Sequence, residues 1–274
     1  MIFAVFGGDD RTVRLISLLR ADGHEVRPRA LELAVPDFGD TPEAAAAGAD
    51  CVLLPLPAER DGLLNAPLSA RSHPVDALLA GLPAGMPVLA GMAEEPLRAA
   101  CRRGRLLLRD YGRREEFALA NAELTAEGAV GLLLRGDTAL RGSRVLIAGY
   151  GRIGRALAEK LTALGAQVTV AARRPEARLL AEYHGCRAVP FGETAGDWDA
   201  VVSTVPSPVF GAEALSGFGD ARCLELASPP YGFDLATARA LGRPVELASG
   251  LPGRSAPAAA AAALRDVIYH IMEE

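Results

Sequence analysis

Val145-Leu146-Ile147-Ala148-Gly149-Tyr150-Gly151-Arg152-Ile153-Gly154 is the stretch that decides the fold. Four apolar, strand-forming residues run directly into a Gly-x-Gly-x-x-Gly pattern. The apolar spacing that follows predicts an amphipathic helix over 153–164, stopped by Gly165, and a further strand at Val168-Thr169-Val170. Strand, glycine loop, helix and strand in that order are the setting of a dinucleotide-binding turn. Gly149 permits the tight turn, Gly151 lets the backbone approach a pyrophosphate, and Gly154 allows the helix to pack closely on the strand. The helix N-terminus adds free N–H groups and a partial positive charge. Gly149, Tyr150, Gly151, Arg152, Ile153 and Gly154 are therefore the expected phosphate loop.

The end of the second strand selects the nucleotide. An acidic residue there would bind the ribose 2′-hydroxyl of NAD. The chain instead reads Ala171-Ala172-Arg173-Arg174-Pro175. Guanidinium groups pair bidentately with phosphate, so Ala172, Arg173 and Arg174 predict NADP, with NAD as the alternative if both arginines are surface residues. A third cofactor segment is expected at Thr204, Val205 and Pro206, which follow the apolar run Ala200-Val201-Val202-Ser203.

Working outward, short β-rich runs alternate with helical patterns through the whole chain. The first half has runs at 2–6, 51–54, 88–90 and 105–108 and a weaker one at 25–29. The second half has them at 145–148, 167–171, 200–203, 222–226 and 245–248. Such alternation implies βαβ units and parallel sheets. A long helix is predicted over 114–134 and is followed by a polar turn, Arg135-Gly136-Asp137-Thr138. The Ala-rich segment 256–272 is predicted to be a helix, alanine being the best helix former. The expected fold class is α/β, with two doubly wound, Rossmann-like parallel-sheet domains and an interdomain cleft. The expected domains are 1–120 on the substrate side and 121–274 for the cofactor, the last helix being free to pack on the first domain.

Composition excludes several classes. The 274 residues are half hydrophobic and carry a net charge of −5. That charge argues against bulk nucleic-acid binding, and no uncharged apolar run reaches the roughly 18–20 residues of a membrane span. Met1 to Phe6 has no basic n-region and reads as a strand rather than a signal peptide, so a cytoplasmic location is expected. The four cysteines, Cys51, Cys101, Cys186 and Cys223, form no C-x-x-C clip, and the four histidines show no metal-ligand spacing, so no metal is expected. The single lysine, Lys160, lies inside a predicted helix, which argues against Schiff-base chemistry. The arginines between 102 and 114 read as a solvated face, or as a docking patch for an acidic partner.

Five pieces in order resemble one known family, the A subunits of dipicolinate synthase. They are Gly7-Gly8-Asp9 followed by Arg11; Asn121 with Thr125-Ala126-Glu127-Gly128; Gly149 to Gly154 with Val168 to Arg173; Leu226-Ala227-Ser228 with Pro230, Gly232 and Asp234; and Gly250-Leu251-Pro252-Gly253 with Ala256-Pro257. The resemblance implies a two-domain fold with the architecture of the 2-hydroxyacid dehydrogenases, and oxidation of a cyclic lysine-pathway intermediate to dipicolinate in the mother cell of a sporulating bacterium. It also implies a second, flavoprotein-like B subunit. The chain departs from the family's pattern at Pro229, where a basic residue is common, and at Ala258, where lysine is common. Both departures bear on the substrate more than on the fold.

A dicarboxylate substrate facing the nicotinamide needs N–H groups, hydroxyls or arginines, and Arg11, Thr125, Tyr231 and Arg254 are the residues read as binding it. Aromatisation requires loss of water, removal of a ring proton and removal of a hydride. Glu127 is the expected proton acceptor, with Asp9 and Ser228 as further catalytic candidates. The plainer readings are a surface ion pair for Glu127 and a helix cap for Asp9. Two rival functions remain: another NADP-dependent dehydrogenase of a small carboxylic acid, and a non-catalytic nucleotide-sensing module. A homo-oligomer is expected in either enzyme reading.

Overall fold

The computed structural model describes residues 1–135 and 139–274. Gly136, Asp137 and Thr138 of the expected polar turn lie outside the described residues. The chain divides into two compact units, residues 1–121 with 256–274, and residues 122–255. The final helix, assigned from the sequence to the second domain with freedom to pack on the first, is part of the first unit.

The first unit is built on strands β1 (Ile2–Phe6), β2 (Glu25–Arg29), β3 (Cys51–Leu53), β6 (Pro87–Ala90) and β7 (Leu107–Asp110). They pair in parallel in the order β2-β1-β3-β6-β7. The antiparallel hairpin β4 (Glu59–Arg60) and β5 (Leu63–Leu64) stands apart from that sheet. Helix Asp10–Ala21 buries Thr12, Leu15, Ile16 and Leu19 at helical spacing. The terminal helix Pro257–Glu273 buries Leu264, Val267, Ile268 and Ile271, and these share one apolar cluster with Phe3, Leu15 and Leu19. Tyr269 Oη donates to Asp22 at 2.7 Å at the edge of that contact.

Strand β7 begins two residues later than the 105–108 run suggests. Helix Glu95–Gly104 ends with Arg105 in the left-handed region (φ 52°), and the amides of Arg105 and Leu106 turn back to its last carbonyls. Arg105 is thus committed to the helix end and is not available to a strand.

The second unit carries β8 (Arg144–Ala148), β9 (Gln167–Ala171), β10 (Arg187–Val189), β11 (Ala200–Ser203), β12 (Arg222–Glu225) and β13 (Val245–Leu247). All pair in parallel, in the order β10-β9-β8-β11-β12-β13. This is the order of a dinucleotide-binding sheet, in which the chain reverses direction beside the first strand and leaves a crevice at the carboxyl ends. The sequence runs cover five of these six strands. β10 escapes because three residues at a sheet edge leave too little apolar pattern to read. Helix Glu115–Leu133 carries the chain from the first unit into the second.

Candidate functional site

Because every strand of the second sheet points the same way, the loops after β8, β9, β11, β12 and β13 all emerge at its carboxyl edge. Gly149–Gly154, Ala172–Arg174, Thr204–Pro206, Ser228–Tyr231 and Arg254 belong to the segments that follow those strands, Arg152–Gly154 opening a helix and Arg254 lying in the short helix Leu251–Ser255. A cavity of about 500 Å³ opens there, lined by the glycine loop, Tyr150, Ala172, Arg173, Arg174, Phe191 and Val205, among others.

The three glycines answer to different constraints. Gly149 has φ +92°, and a Cβ on it would lie 2.7 Å from Thr204 Oγ1 and 2.8 Å from Val205 Cγ2. A Cβ on Gly154 would lie 3.0 Å from the carbonyl carbon of Gly149, and closer still to its oxygen. These two positions are dictated by the protein's own packing. Gly151 is different: a Cβ there would meet nothing within 4 Å. Its backbone borders open space at the N-terminus of helix Arg152–Ala163, where an anion is favoured by the direction of the first-turn amides and by the helix dipole. The residues present therefore fit a dinucleotide pyrophosphate.

Around that loop the contacts are specific. Thr204 Oγ1 donates to the carbonyl of Ala148 at 2.8 Å, joining the ends of β8 and β11. Tyr150 is nearly buried, its pKa is raised by that burial, and its hydroxyl lies 2.9 Å from His184 Nδ1. Arg178 Nη1 donates at 2.9 Å to the carbonyls of both Ala172 and Arg173. That guanidinium occupies two carbonyl dipoles that would otherwise oppose a phosphate. Arg173 and Arg174 are exposed at the mouth, and Arg174 pairs loosely with Glu176 at 3.6 Å. Among the described residues, no carboxylate lines the cavity.

The catalytic and substrate candidates are scattered. Ser228 is exposed in the loop after β12, and its carbonyl accepts from the amide of Tyr231 at 3.2 Å. Tyr231 is half-buried with φ +64°. Arg254 is exposed and reaches the carbonyl of Ser249 at 3.4 Å. Thr125 is buried on helix Glu115–Leu133, where Gly128 lets Leu251 and Ser255 approach closely. Glu127 is exposed on that helix, and its charge acts on Lys160, which bonds Glu123 at 2.6 Å. The recorded hydrogen bond and ion pair of Lys160 are with Glu123, one turn before Glu127 on the same helix. In the first unit, Asp9 is the N-cap of helix Asp10–Ala21 and accepts from the amide of Arg11 at 3.1 Å. Arg11 is buried and donates to the carbonyl of Leu56 at 2.6 Å. Both are thereby engaged in holding loops at the carboxyl ends of β1 and β3.

Sequence reading missed three groups. Phe191 and the segment 207–209 complete the cavity wall; the second directly continues the expected Thr204–Pro206 segment, while Phe191 follows the short edge strand β10, which the sequence did not reveal. Glu225 is buried at the end of β12. The available signal was a carboxylate set inside the apolar run Cys223-Leu224-Glu225-Leu226-Ala227.

Comparison with known proteins matches this geometry. Residues 120–212 match the family described as the D-isomer specific 2-hydroxyacid dehydrogenase, NAD binding domain. Residues 2–111 match the N-terminal domain of the dipicolinate synthase A subunit. The dipicolinate synthase A subunit of Bacillus subtilis (strain 168) is 32% identical over 199 residues, which is 70% of this chain and 66% of that protein, just under two thirds of its length. Among solved structures, the dipicolinate synthase A subunit from Bacillus halodurans superimposes with a TM-score of 0.89 at 26% identity, covering 100% of this chain and 98% of the other. The corresponding polypeptide of dipicolinate synthase from Bacillus subtilis gives 0.85, also at 26% identity, covering 100% and 96%.

Fold and site together define the class: a two-unit α/β protein of the dehydrogenase kind, with a nicotinamide-dinucleotide-binding domain in its second unit. Its first unit matches a model specific to one branch of that class. The chain belongs to the family of dipicolinate synthase A subunits.

Proposed function

We propose that the chain is the NADP-dependent oxidoreductase component that forms dipicolinate from 4-hydroxy-tetrahydrodipicolinate, by way of dihydrodipicolinate. The observation that carries this reading is the agreement of the entire chain, both units included, with two dipicolinate synthase A subunits. The overall change loses one water and then two electrons and two protons from the ring, one proton leaving with the electron pair as hydride. A bound nicotinamide supplies the hydride acceptor.

The chain's own residues do the rest. Gly151 and the start of helix Arg152–Ala163 hold the pyrophosphate. Arg173, with Arg174 and the N-terminus of helix Pro175–Tyr183 beside it, receives a 2′-phosphate, and Arg178 keeps the carbonyls of that turn out of the way. Ser228 and Tyr231 in the loop after β12, and Arg254 in the short helix after β13, offer a hydroxyl, a phenol and a guanidinium to the substrate carboxylates. Pro229 has no charge to contribute, which leaves Arg254 as the cation of this set. Glu127, exposed one turn from the Glu123–Lys160 ion pair, is given a surface electrostatic role in this reading rather than the proton transfer. By analogy with the family, the chain works with a flavoprotein-like B subunit, as a homo-oligomer, in the cytoplasm of the mother cell. No described helix is long and apolar enough to cross a membrane.

The test is direct. Purified protein is mixed with NADP and 4-hydroxy-tetrahydrodipicolinate, with and without a candidate B subunit, and the ultraviolet absorbance of a pyridine ring is followed. Ring formation that needs this chain is expected. Turnover of a 2-hydroxy acid but not of the cyclic compound would instead support a general dehydrogenase.

A further inference from the structure

Glu225 is a carboxylate that the cofactor loop does not explain. It ends β12, is 1% exposed, and lies among Leu224, Leu226 and Ala227, all buried. Its Oε1 accepts the amide of Ala227 at 3.0 Å. Its Oε2 accepts the amides of Gly232 at 2.7 Å and Phe233 at 3.1 Å. The Ser203 hydroxyl, at the end of neighbouring β11, is a fourth donor. All four donors are neutral, and burial pushes the pKa of Glu225 up against the effect of these hydrogen bonds.

The geometry is that of a clasp. Three amides at the two ends of one loop converge on a single side chain, and the seven-residue segment from Ala227 to Phe233 is closed over it. The outward part of this segment carries Ser228 and Tyr231. Gly232 is pressed so closely on β11 that a Cβ there would overlap the Ser203 hydroxyl. Ser203 Oγ in turn accepts, at 3.4 Å, from the amide of Val205, which walls the cofactor cavity. One carboxylate thus ties the loop that presents candidate substrate groups to the segment that borders the dinucleotide. An ordinary helix cap or core group would not need bonds to both. An isolated buried carboxylate is costly, and a hydrophobic residue would fill the strand end more simply.

We propose that Glu225 is a positioning residue for the reaction, holding Ser228 and Tyr231 in register with the dinucleotide through the Ala227–Phe233 loop and through Ser203. The inference rests on the functional reading above, and its test is arranged so that the two fail separately. In Glu225→Gln one acceptor oxygen becomes an NH2 group facing backbone N–H groups, so one end of the clasp opens while side-chain size is retained.

The full-length variant is to be compared with wild type in steady-state kinetics, in dinucleotide binding, and in amide hydrogen exchange of residues 226–234. The expected result is faster exchange in that segment, a kcat lower by tenfold or more, and a dinucleotide Kd within threefold of wild type. Glu225→Asp, which keeps the charge, should recover part of kcat. If Glu225→Gln does not fold, Ser203→Ala removes the fourth donor together with the long bond from the Val205 amide, leaves the three amides on Glu225, and should lower kcat at least threefold with the melting temperature kept. A folded Glu225→Gln or Ser203→Ala protein with unchanged kcat and KM would overturn the proposal, as would unchanged exchange in 226–234. Absence of turnover in the wild type would count against the functional reading instead, and the exchange measurement then decides the clasp.

Discussion

Two alanine substitutions in the glycine loop should give opposite signatures. At Gly151 the backbone has φ −83° and ψ −160°, which any residue can adopt, and a Cβ would meet nothing within 4 Å. Loss of a glycine N-cap costs about 0.5–1 kcal/mol, and the reduced freedom of the unfolded chain returns about 0.4–1 kcal/mol. Stability should therefore change by less than about 0.5 kcal/mol. The methyl group would, however, stand where a pyrophosphate comes against the backbone. Losing one charge-assisted hydrogen bond there costs about 1.5–3 kcal/mol, so dinucleotide affinity should fall roughly tenfold to a hundredfold. At Gly154 the Cβ would lie 3.0 Å from the carbonyl carbon of Gly149, and backbone cannot step aside as a side chain can. Overpacking of this kind costs about 1–3 kcal/mol, offset by about 1 kcal/mol of helix propensity. Gly154→Ala should lose stability and affinity together. Thermal melts with and without NADP, and titration by fluorescence or calorimetry, separate the two cases. A Gly151→Ala protein that binds the dinucleotide as wild type does would refute the assignment of that open space to the pyrophosphate.

Further outcomes follow from the same geometry. Arg173→Asp should weaken NADP tenfold to a hundredfold while changing NAD much less; titration of both cofactors shows this, and equal losses would remove Arg173 from 2′-phosphate binding. Glu127→Gln should leave kcat within about twofold, since the residue is exposed on its helix; a fall of the 10²–10⁴ expected for a lost proton acceptor would restore it to the mechanism. Asp9→Ala should cost about 0.5–2 kcal/mol through loss of the helix cap, read by denaturant unfolding. The four cysteines are buried, and burial raises the Cys51 thiol to about 12 and Cys101 and Cys223 to about 11. Reactivity requires thiolate, which lies below such a pKa in only a minute fraction, so a thiol reagent at pH 8 should label none of them until the chain unfolds.

How far the sequence carries the structure differs from element to element. The glycine loop is legible because its three constraints are local: two glycines are fixed by atoms within a few residues or on the adjoining strand, and the third by the helix it begins. The parallel sheets are legible because buried strands leave continuous apolar runs between helical patterns. β10 is hidden by its shortness, and the hairpin β4–β5 by the absence of any alternation over two-residue strands. The start of β7 is shifted because a helix end consumed Arg105. Among the site candidates, the cofactor residues hold together at one sheet edge, since a parallel sheet delivers its loops there. Asp9 and Arg11 have the right chemistry for catalysis but are engaged by a helix cap and a loop carbonyl. Nothing in a linear pattern announces such partners. Glu225 is the converse: a polar residue in an apolar strand end, informative only once the amides that meet it are known.

The central claim is that dipicolinate formation by this chain is an NADP-linked oxidation. The most direct measurement is stoichiometry: absorbance of reduced dinucleotide at about 340 nm recorded beside pyridine-ring absorbance, with the complete protein and limiting substrate. One reduced dinucleotide per ring formed is the expected result, with both signals slowed together by about five- to fiftyfold in Gly151→Ala at a dinucleotide concentration near the wild-type Kd. Ring formation that proceeds at the same rate without dinucleotide, or with none reduced, would contradict the claim.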